Sequence, residues 1–509
     1  MSSITKPLLQ LDLFKPQHHS LPQNERVALA YHRARKIGRA YGLTKNDILS
    51  LSPKFWALHR DLINPYDMAA FTLLTIQYNL AAGTLAPFVA DRPDLELVLQ
   101  KILGFEVSAQ FLLTEVGHGL DARNLETTAT ALPGGGFELH TPHKGAAKYM
   151  PPTSPQPGFP RVAIVIARLT VDGQDRGLCP FLVWLNDGYK MHKGVSIKLL
   201  PRRTGSKPLD HCITTFNRVQ LPPGALLGSL KNSPIDFHKT IHRIHVGTLA
   251  LTTTLIPILK RAVYITAKYS LRRNIKLFTD ESIAYSVRHG MAATFKAVLT
   301  QSTQASLFSL SERGISIAEG DTLVLCIRLA TELLIGRYTL PPATDPSCPL
   351  AQYENGLYTL CRNALASLHG SHCDERYNAL ILPHALPLIE AIGHRMAYEA
   401  ARAAGIDSDL LEIYEAGVLF HAPAWYVCKM ELEVGRVFER ENRAMESVLG
   451  RFAGMMEALE KEVGEYVTAP ILGEREWEGF VSTFQGFEAD KGIREEAGDG
   501  TADFVRSVL

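Results

Sequence analysis

Glu412 and Glu415 stand three residues apart in the stretch EIYEAGVLF, where carboxylates are set among Ile413, Tyr414 and the apolar residues 416–420. Such spacing has a plain reading, the polar edge of a surface helix. It has a chemical one as well, a carboxylate in apolar surroundings that takes a proton from a substrate. Other arrangements are less productive. The histidines of FHKTIHRIHVG (238, 242, 245) fall on one helical face without the carboxylate or cysteine partners of a metal site, so they read as a polar helix entry. No HExxH, GxSxG, phosphate loop or GxGxxG motif occurs, and LPGGGFEL reads as a hairpin turn. No metal is expected.

The elements that would hold such a carboxylate follow from periodicity. Apolar residues recur at three and four through YHRARKIGRAYGL, FWALHRDLI and FTLLTIQYNLAAGTLAPFVA, which places a helical domain over 1–110. Between 111 and 234 the texture changes to β-like runs (RVAIVIARLTV, CPFLVWL) and turns (PGGGF, DGQDRG, LPPGALLG), a middle β domain. Helical spacing returns over 235–470 in LIPILKRAVYITAKYSLRR, DTLVLCIRLATELLIGRY and PLIEAIGHRMAYEAARAAG, a C-terminal helical bundle. Residues 471–509 form a C-terminal tail, whose last stretch, EADKGIREEAGDGTADFVRSVL, reads as polar and loosely held. The fold class is therefore α+β in separate layers, not an alternating βαβ sheet.

Composition excludes several function classes. At 509 residues, 46% apolar and mean hydropathy near zero, the chain is an ordinary soluble globular protein of several domains. A net charge of +1 supplies no field for nucleic acid or an acidic membrane. Seven scattered cysteines without a CxxC pair argue against a disulfide framework and a structural zinc site. The N-terminus lacks an apolar segment of signal-peptide length, the apolar stretch at 249–259 is broken by Pro257, and the chain ends in RSVL rather than a Ser-Lys-Leu address. A cytoplasmic location is expected, with no membrane and no nucleic acid as partner.

One segment carries a family likeness. In LLTEVGHGLDARNLETTATAL (112–132), Thr114 offers a hydroxyl, and Gly117 and Gly119 expose backbone where a planar, polar-edged cofactor could be gripped. The string resembles the acyl-CoA oxidase branch of the acyl-CoA dehydrogenase superfamily, whose members read TE-x-GHG and then LETTAT. The resemblance extends from about residue 51 to about residue 435. It implies the same helical, β and helical-bundle order, an FAD cofactor held by Thr114 and Gly119, and a strand against the flavin at 148–152. There Met150 replaces the family's aromatic wall, and Pro152 stands where relatives carry glycine or a threonine that bonds to flavin N5. Proline has no hydroxyl or N–H to donate. In YSLRRNIKLF, Arg272 matches an arginine that reaches the FAD pyrophosphate of a neighbouring subunit, and Arg288 stands near a glutamine position of the family. The stretch AIGHRM (391–396), with Gly393, resembles a degenerate GGxGY turn that touches the cofactor.

On the same resemblance IYEAG matches I-Y-E-G-T, twenty-one residues beyond His394, and makes Glu415 the catalytic base. Some relatives place the base on the first long bundle helix, but the forty-three residues between Asp236 and Asp280 contain no Asp or Glu. Glu412 is the rival, one turn away. The implied activity is an FAD-dependent oxidoreductase that introduces an α,β double bond into an acyl thioester or related carbonyl compound. Glu415 takes the α-proton, flavin N5 takes the hydride, and O2 or an electron carrier reoxidises the flavin. The basic residues of 189–211 (Lys190, Lys193, Lys198, Arg202, Arg203, Lys207) are candidate contacts for CoA phosphates, or a solvated loop. Same-fold alternatives are amine or nitroalkane oxidation, flavin-peroxide oxygenation, and a scaffold without catalysis. A homodimer is implied, because Arg272 and the 391–396 turn serve the partner's cofactor in relatives.

Overall fold

The computed structural model describes residues 4–15, 21–119, 121–201, 207–228, 237–272 and 322–482. It is a mixed helical and sheet fold with a helical C-terminal region. The described residues divide into two compact units, the first comprising those of 4–272 and 459–482, the second those of 322–458.

In the first unit, the helix Gln23–Tyr41 buries Val27, Ala30, Tyr31, Ala34, Ile37 and Tyr41, the three-and-four spacing of one apolar stripe. It stops at Gly42, whose φ of 52° caps it in the left-handed region. Asp67 opens the helix Met68–Thr75 by accepting the N–H groups of Ala69 and Ala70. The helix then widens into a π-turn over Ile76–Ala82, buried from Gln77 onward. This turn aims Gln77 at the first strand: its amide donates to the carbonyls of Ile102 and Val107, both at 2.8 Å, and accepts from Ala109 N–H at 2.6 Å.

The β region runs through β1 (Ser108–Leu112), β2 (Thr128–Ala131), β3 (Phe137–His140), β4 (Lys148–Pro152), β5 (Arg161–Val171), β6 (Gln174–Asn186), β7 (Val195–Leu199), β8 (His211–Phe216) and β9 (Val219–Leu221). One sheet has the order β1-β5-β2-β3-β9 with β6 along the other edge of β5; the other is β4-β8-β7. The apolar run of β5 is continuous because both its faces are covered. Val162, Ile164 and Ile166 join the core shared with the N-terminal helices, and Ala163, Val165, Ala167 and Leu169 join the core of the β region. PGGGF closes the β2–β3 hairpin with Gly135 and Gly136 both at φ 84°, and Asp172-Gly173 closes β5–β6. The long helix His242–Arg272 follows.

The second unit is helical: Thr322–Leu334, Pro349–Ser367, Leu382–Ala403, Ser408–Leu419, Pro423–Met430 and the first part of Val434–Val463. Its core includes Ala330, Leu333, Leu357, Cys361, Leu365, Leu388 and Ile392. Arg395 is buried between Glu354 and Glu399.

Two findings differ from the sequence reading. Residues 391–396 are uninterrupted helix, so Gly393 does not form a turn; the neighbours Ala391, Ala397 and Ala400 are strong helix formers, and one glycine cannot break them. The tail region also begins with structure, a short helix at Glu474–Val481. By length and composition the helical stretches Met68–Ala90 and His242–Tyr269 could each cross a bilayer; 78% of the first is buried in the fold, as for a core helix, and 44% of the second.

Candidate active site

The segment after β1 and strand β4 run side by side. Tyr149 N–H donates to the Thr114 carbonyl at 2.9 Å, Val116 N–H to Ala147 at 2.9 Å, and Gly117 N–H to Gly145 at 2.8 Å. Because side chains alternate along extended chain, Thr114, Val116 and Tyr149 turn outward while Glu115 and Lys148 turn inward. The outward set is a ledge carrying the Thr114 hydroxyl, the Val116 aliphatic side chain and the Tyr149 phenol ring. Gly119 continues it as exposed backbone, where an added Cβ would meet nothing within 4 Å.

Beneath the ledge, Lys148 Nζ is fully buried and makes three bonds: Glu115 Oε1 at 2.9 Å, Leu113 carbonyl at 3.0 Å and Ile166 carbonyl at 2.7 Å. Burial pulls the ammonium down to about 8, against the upward pull of Glu115. Glu115 accepts in addition the N–H groups of Glu126 and Thr127 at 2.8 and 2.9 Å. Burial alone would raise its carboxyl, but the Lys148 ammonium and these N–H donors outweigh it and hold the group below the usual range. The TE of the motif thus has divided roles: Thr114 faces out, and Glu115 staples the loop to β4.

Strand β4 is bent at its centre. Met150 has φ 75°, the left-handed region that non-glycine residues avoid, and the register with β8 shifts between Tyr149 and Pro152. The His211 ring nitrogen Nδ1 lies 2.6 Å from the Met150 carbonyl and secures the bulge. Met150 is half-buried and Pro152 buried. An unfavourable backbone held in place next to an exposed ledge marks a shaped surface. An open glycine backbone, a hydroxyl and a flat apolar strip suit a planar ring with a polar edge, so these residues fit a flavin.

In the second unit, Glu415 is 7% exposed on the helix Ser408–Leu419, which Asp407 caps. Three other helices supply its surroundings. The Tyr398 hydroxyl, from Leu382–Ala403, hydrogen-bonds to it. Arg440, from Val434–Val463, places Nη2 3.6 Å from Glu415 Oε1 while its Nε bonds Glu412 Oε1 at 2.7 Å. Tyr426, from Pro423–Met430, is fully buried, and its hydroxyl has no hydrogen-bond partner among the described residues. Burial first, then Tyr353, Cys348 and Glu415, push the Tyr426 phenol up.

Of the residues singled out in the sequence, Thr114, Gly119, Met150 and Pro152 come together on the first unit. Gly393 lies exposed in mid-helix on the second unit, as does the helix carrying Glu415; the neighbouring His394 ring is 6.3 Å from Tyr414. Arg272 ends the helix His242–Arg272, and its side chain lies outside the described residues, as does the whole of Arg288. Sequence reading missed Lys148 as the partner of Glu115, and Tyr398 and Arg440 as partners of Glu415. The first had a signal, an acid and a lysine in the two matched motifs. The other two are 17 and 25 positions from Glu415 in motif-free helix.

Comparison with known proteins adds the decisive finding. No family model matches the chain. It is 27% identical over 302 residues to peroxisomal acyl-coenzyme A oxidase 3 of Homo sapiens, covering 53% of this chain and 41% of that protein. It is 24% identical to acyl-coenzyme A oxidase 2, peroxisomal, of Arabidopsis thaliana, with the same two shares. The crystal structure of acyl-coA oxidase3 from Yarrowia lipolytica superposes with a TM-score of 0.78 at 14% identity, covering 97% of this chain and 90% of that one. The chain thus resembles acyl-CoA oxidases in sequence over about half of its length and shares their fold. Its sequence match to the curated acyl-CoA oxidases spans about two fifths of their length. A further superfamily structure of the same fold, acyl-CoA oxidase-2 of Caenorhabditis elegans, holds FAD, ascaroside-CoA and ATP, with a TM-score of 0.64 over 95% of each chain at 14% identity. The expected cytoplasmic location is contradicted: the human and Arabidopsis thaliana relatives are named peroxisomal. Compartment is set by a receptor-read address rather than by any property of the fold, so composition and charge could not decide it.

Proposed function

We propose that this chain is an FAD-dependent acyl-CoA oxidase that introduces an α,β double bond into an acyl thioester. The observation that carries the proposal is the ledge of Thr114, Val116 and Tyr149, continued by Gly119 and built on the TE-x-GHG motif, on the oxidase fold. The human, Arabidopsis thaliana and Caenorhabditis elegans relatives are named acyl-CoA oxidases, which disfavours amine oxidation, oxygenation or a scaffold role. Thr114 and the backbone at Gly119 would hold the flavin edge, with Met150 and Pro152 beside it; Arg272, Arg288 and Gly393 are proposed as further contacts to the cofactor, the first and last on a partner's. When bound, FAD supplies the acceptor for the β-hydride.

The protein's own part is positioning and proton transfer. Glu415 is the proposed base: its carboxylate takes the α-proton, which is acidic enough only while the thioester carbonyl is polarised by hydrogen bonds. Its near-complete burial keeps water off that oxygen. Fixing base and substrate in one geometry is worth ~7 to 11 kcal/mol at best. The expected partners are an acyl-CoA and O2 and a second copy of the chain. Leu249, Ile256 and Val263, spaced seven apart and exposed on one long helix, support the dimer. The test is anaerobic mixing of the yellow protein with acyl-CoAs. Bleaching in the wild type that disappears in Glu415→Gln, with flavin content unchanged, is expected; bleaching that persists in the variant removes Glu415 from the mechanism. Light scattering reads the dimer.

A further inference from the structure

We infer that Glu412 is a positioning residue: it takes the shorter of Arg440's two ion pairs and so keeps the guanidinium from closing fully on Glu415. The inference rests on the reading of Glu415 as base. One guanidinium lies between two carboxylates of a single helix. It makes a charge-assisted bond to Glu412 at 2.7 Å and a longer ion pair to Glu415 at 3.6 Å. The Glu415 side chain is 10% exposed and that of Glu412 31%. Opposite charges attract more strongly where water is scarcer, so a released Arg440 would close over Glu415. Glu412 therefore sets the distance.

Tyr398 supplies a second constraint, donating its hydroxyl to Glu415 from another helix. The groups around Glu415 among the described residues are Glu412 on its own helix, Tyr398, Arg440, Tyr426, and Cys348 at the start of Pro349–Ser367. Burial raises the two phenols and the Cys348 thiol, so all three are neutral at pH 7. Arg440 and Glu412 are then the charges that can move the acid limb of the reaction.

The experiment compares FAD-loaded wild type, Glu415→Gln, Glu412→Gln and Arg440→Met by the pH dependence of kcat/KM with an acyl-CoA. Glu412→Gln is expected to shift the acid limb about one pH unit lower, as a cation closes on the base, and to cut the plateau roughly tenfold. Arg440→Met is expected to shift the limb the opposite way. Melting of the cofactor-free variants gives a readout independent of turnover. A double-mutant cycle should show Arg440 coupled mainly to Glu412, and coupling between Arg440 and Glu415 should grow once Glu412→Gln is present. If Glu415→Gln stays active, the reading of the base fails and the inference with it. If Glu415→Gln is inactive but both neighbours keep wild-type pH profiles, or the coupling does not grow, the inference alone is overturned.

Discussion

Lys148 and Glu115 form a salt bridge at 2.9 Å in which neither side chain is exposed at all. The pair joins the loop carrying the candidate cofactor ledge to strand β4, and every lysine proton meets an acceptor. A buried pair of this kind is weak evidence for net stability, but either half alone is costly.

Glu115→Gln is therefore expected to lower unfolding free energy by about 3 to 5 kcal/mol, because it strands the Lys148 ammonium. Lys148→Met should cost a similar amount. The double variant should lose less than the two together, which urea unfolding of all four proteins will read.

Thr114 has the opposite character. It is exposed, so Thr114→Val should leave the melting temperature of the cofactor-free protein unchanged. Loss of one hydrogen bond of about 0.5 to 1.5 kcal/mol should weaken FAD retention several-fold, measured by equilibrium dialysis. Equal FAD affinity would remove Thr114 from the cofactor contacts.

Gly38 lies inside a helix, where alanine is ordinarily better by about 1 kcal/mol. Here its Cβ would come within 2.3 Å of the Tyr78 hydroxyl, on a buried ring that bonds the Leu103 carbonyl at 3.1 Å. Overpacking costs about 1 to 3 kcal/mol and the hydrogen bond is lost too, so the clash wins. Gly38→Ala should destabilise, as a lower urea midpoint; a higher midpoint would show that Tyr78 moves freely.

Acid should weaken the first unit through its histidines. Burial lowers His59 to about 4, against a bond to the Phe55 carbonyl, and burial with the Arg35 charge lowers His32 to about 4. The folded protein resists protons that the unfolded chain accepts from about pH 6.5 downward. Stability is thus full above pH 6.5 and lost as pH falls toward 4, by up to about 1.4 kcal/mol per pH unit for fully buried His59. Urea midpoints at pH 5 and 7 should differ less in His59→Phe than in the wild type.

Much of the architecture was legible in the chain because it is written in local spacing. The apolar run RVAIVIARLTV declared a strand, and PGGGF and DGQDRG declared their turns through glycines that accept positive φ readily; that both faces of the strand are covered came from the structure. At 391–396 the helical spacing of PLIEAIGHRMAYEAARAAG holds, and the family's turn likeness does not. In the ledge, the motif located Thr114 and Gly119, while the bulge at Met150 was invisible: methionine is no turn former, and only pairing with β8 and His211 holds it there.

The order of a chain fixes periodicities, turn chemistry and motifs, since these depend on residues within a few positions of one another. It determined here a helical, β and helical series, a family likeness, and a carboxylate at 415 in apolar company. Tertiary structure alone decided what each charge faces. Glu115 meets Lys148 across 33 positions, and Arg440 reaches Glu412 across 28, because a charge finds its partner through space and the intervening chain imposes no spacing on that choice.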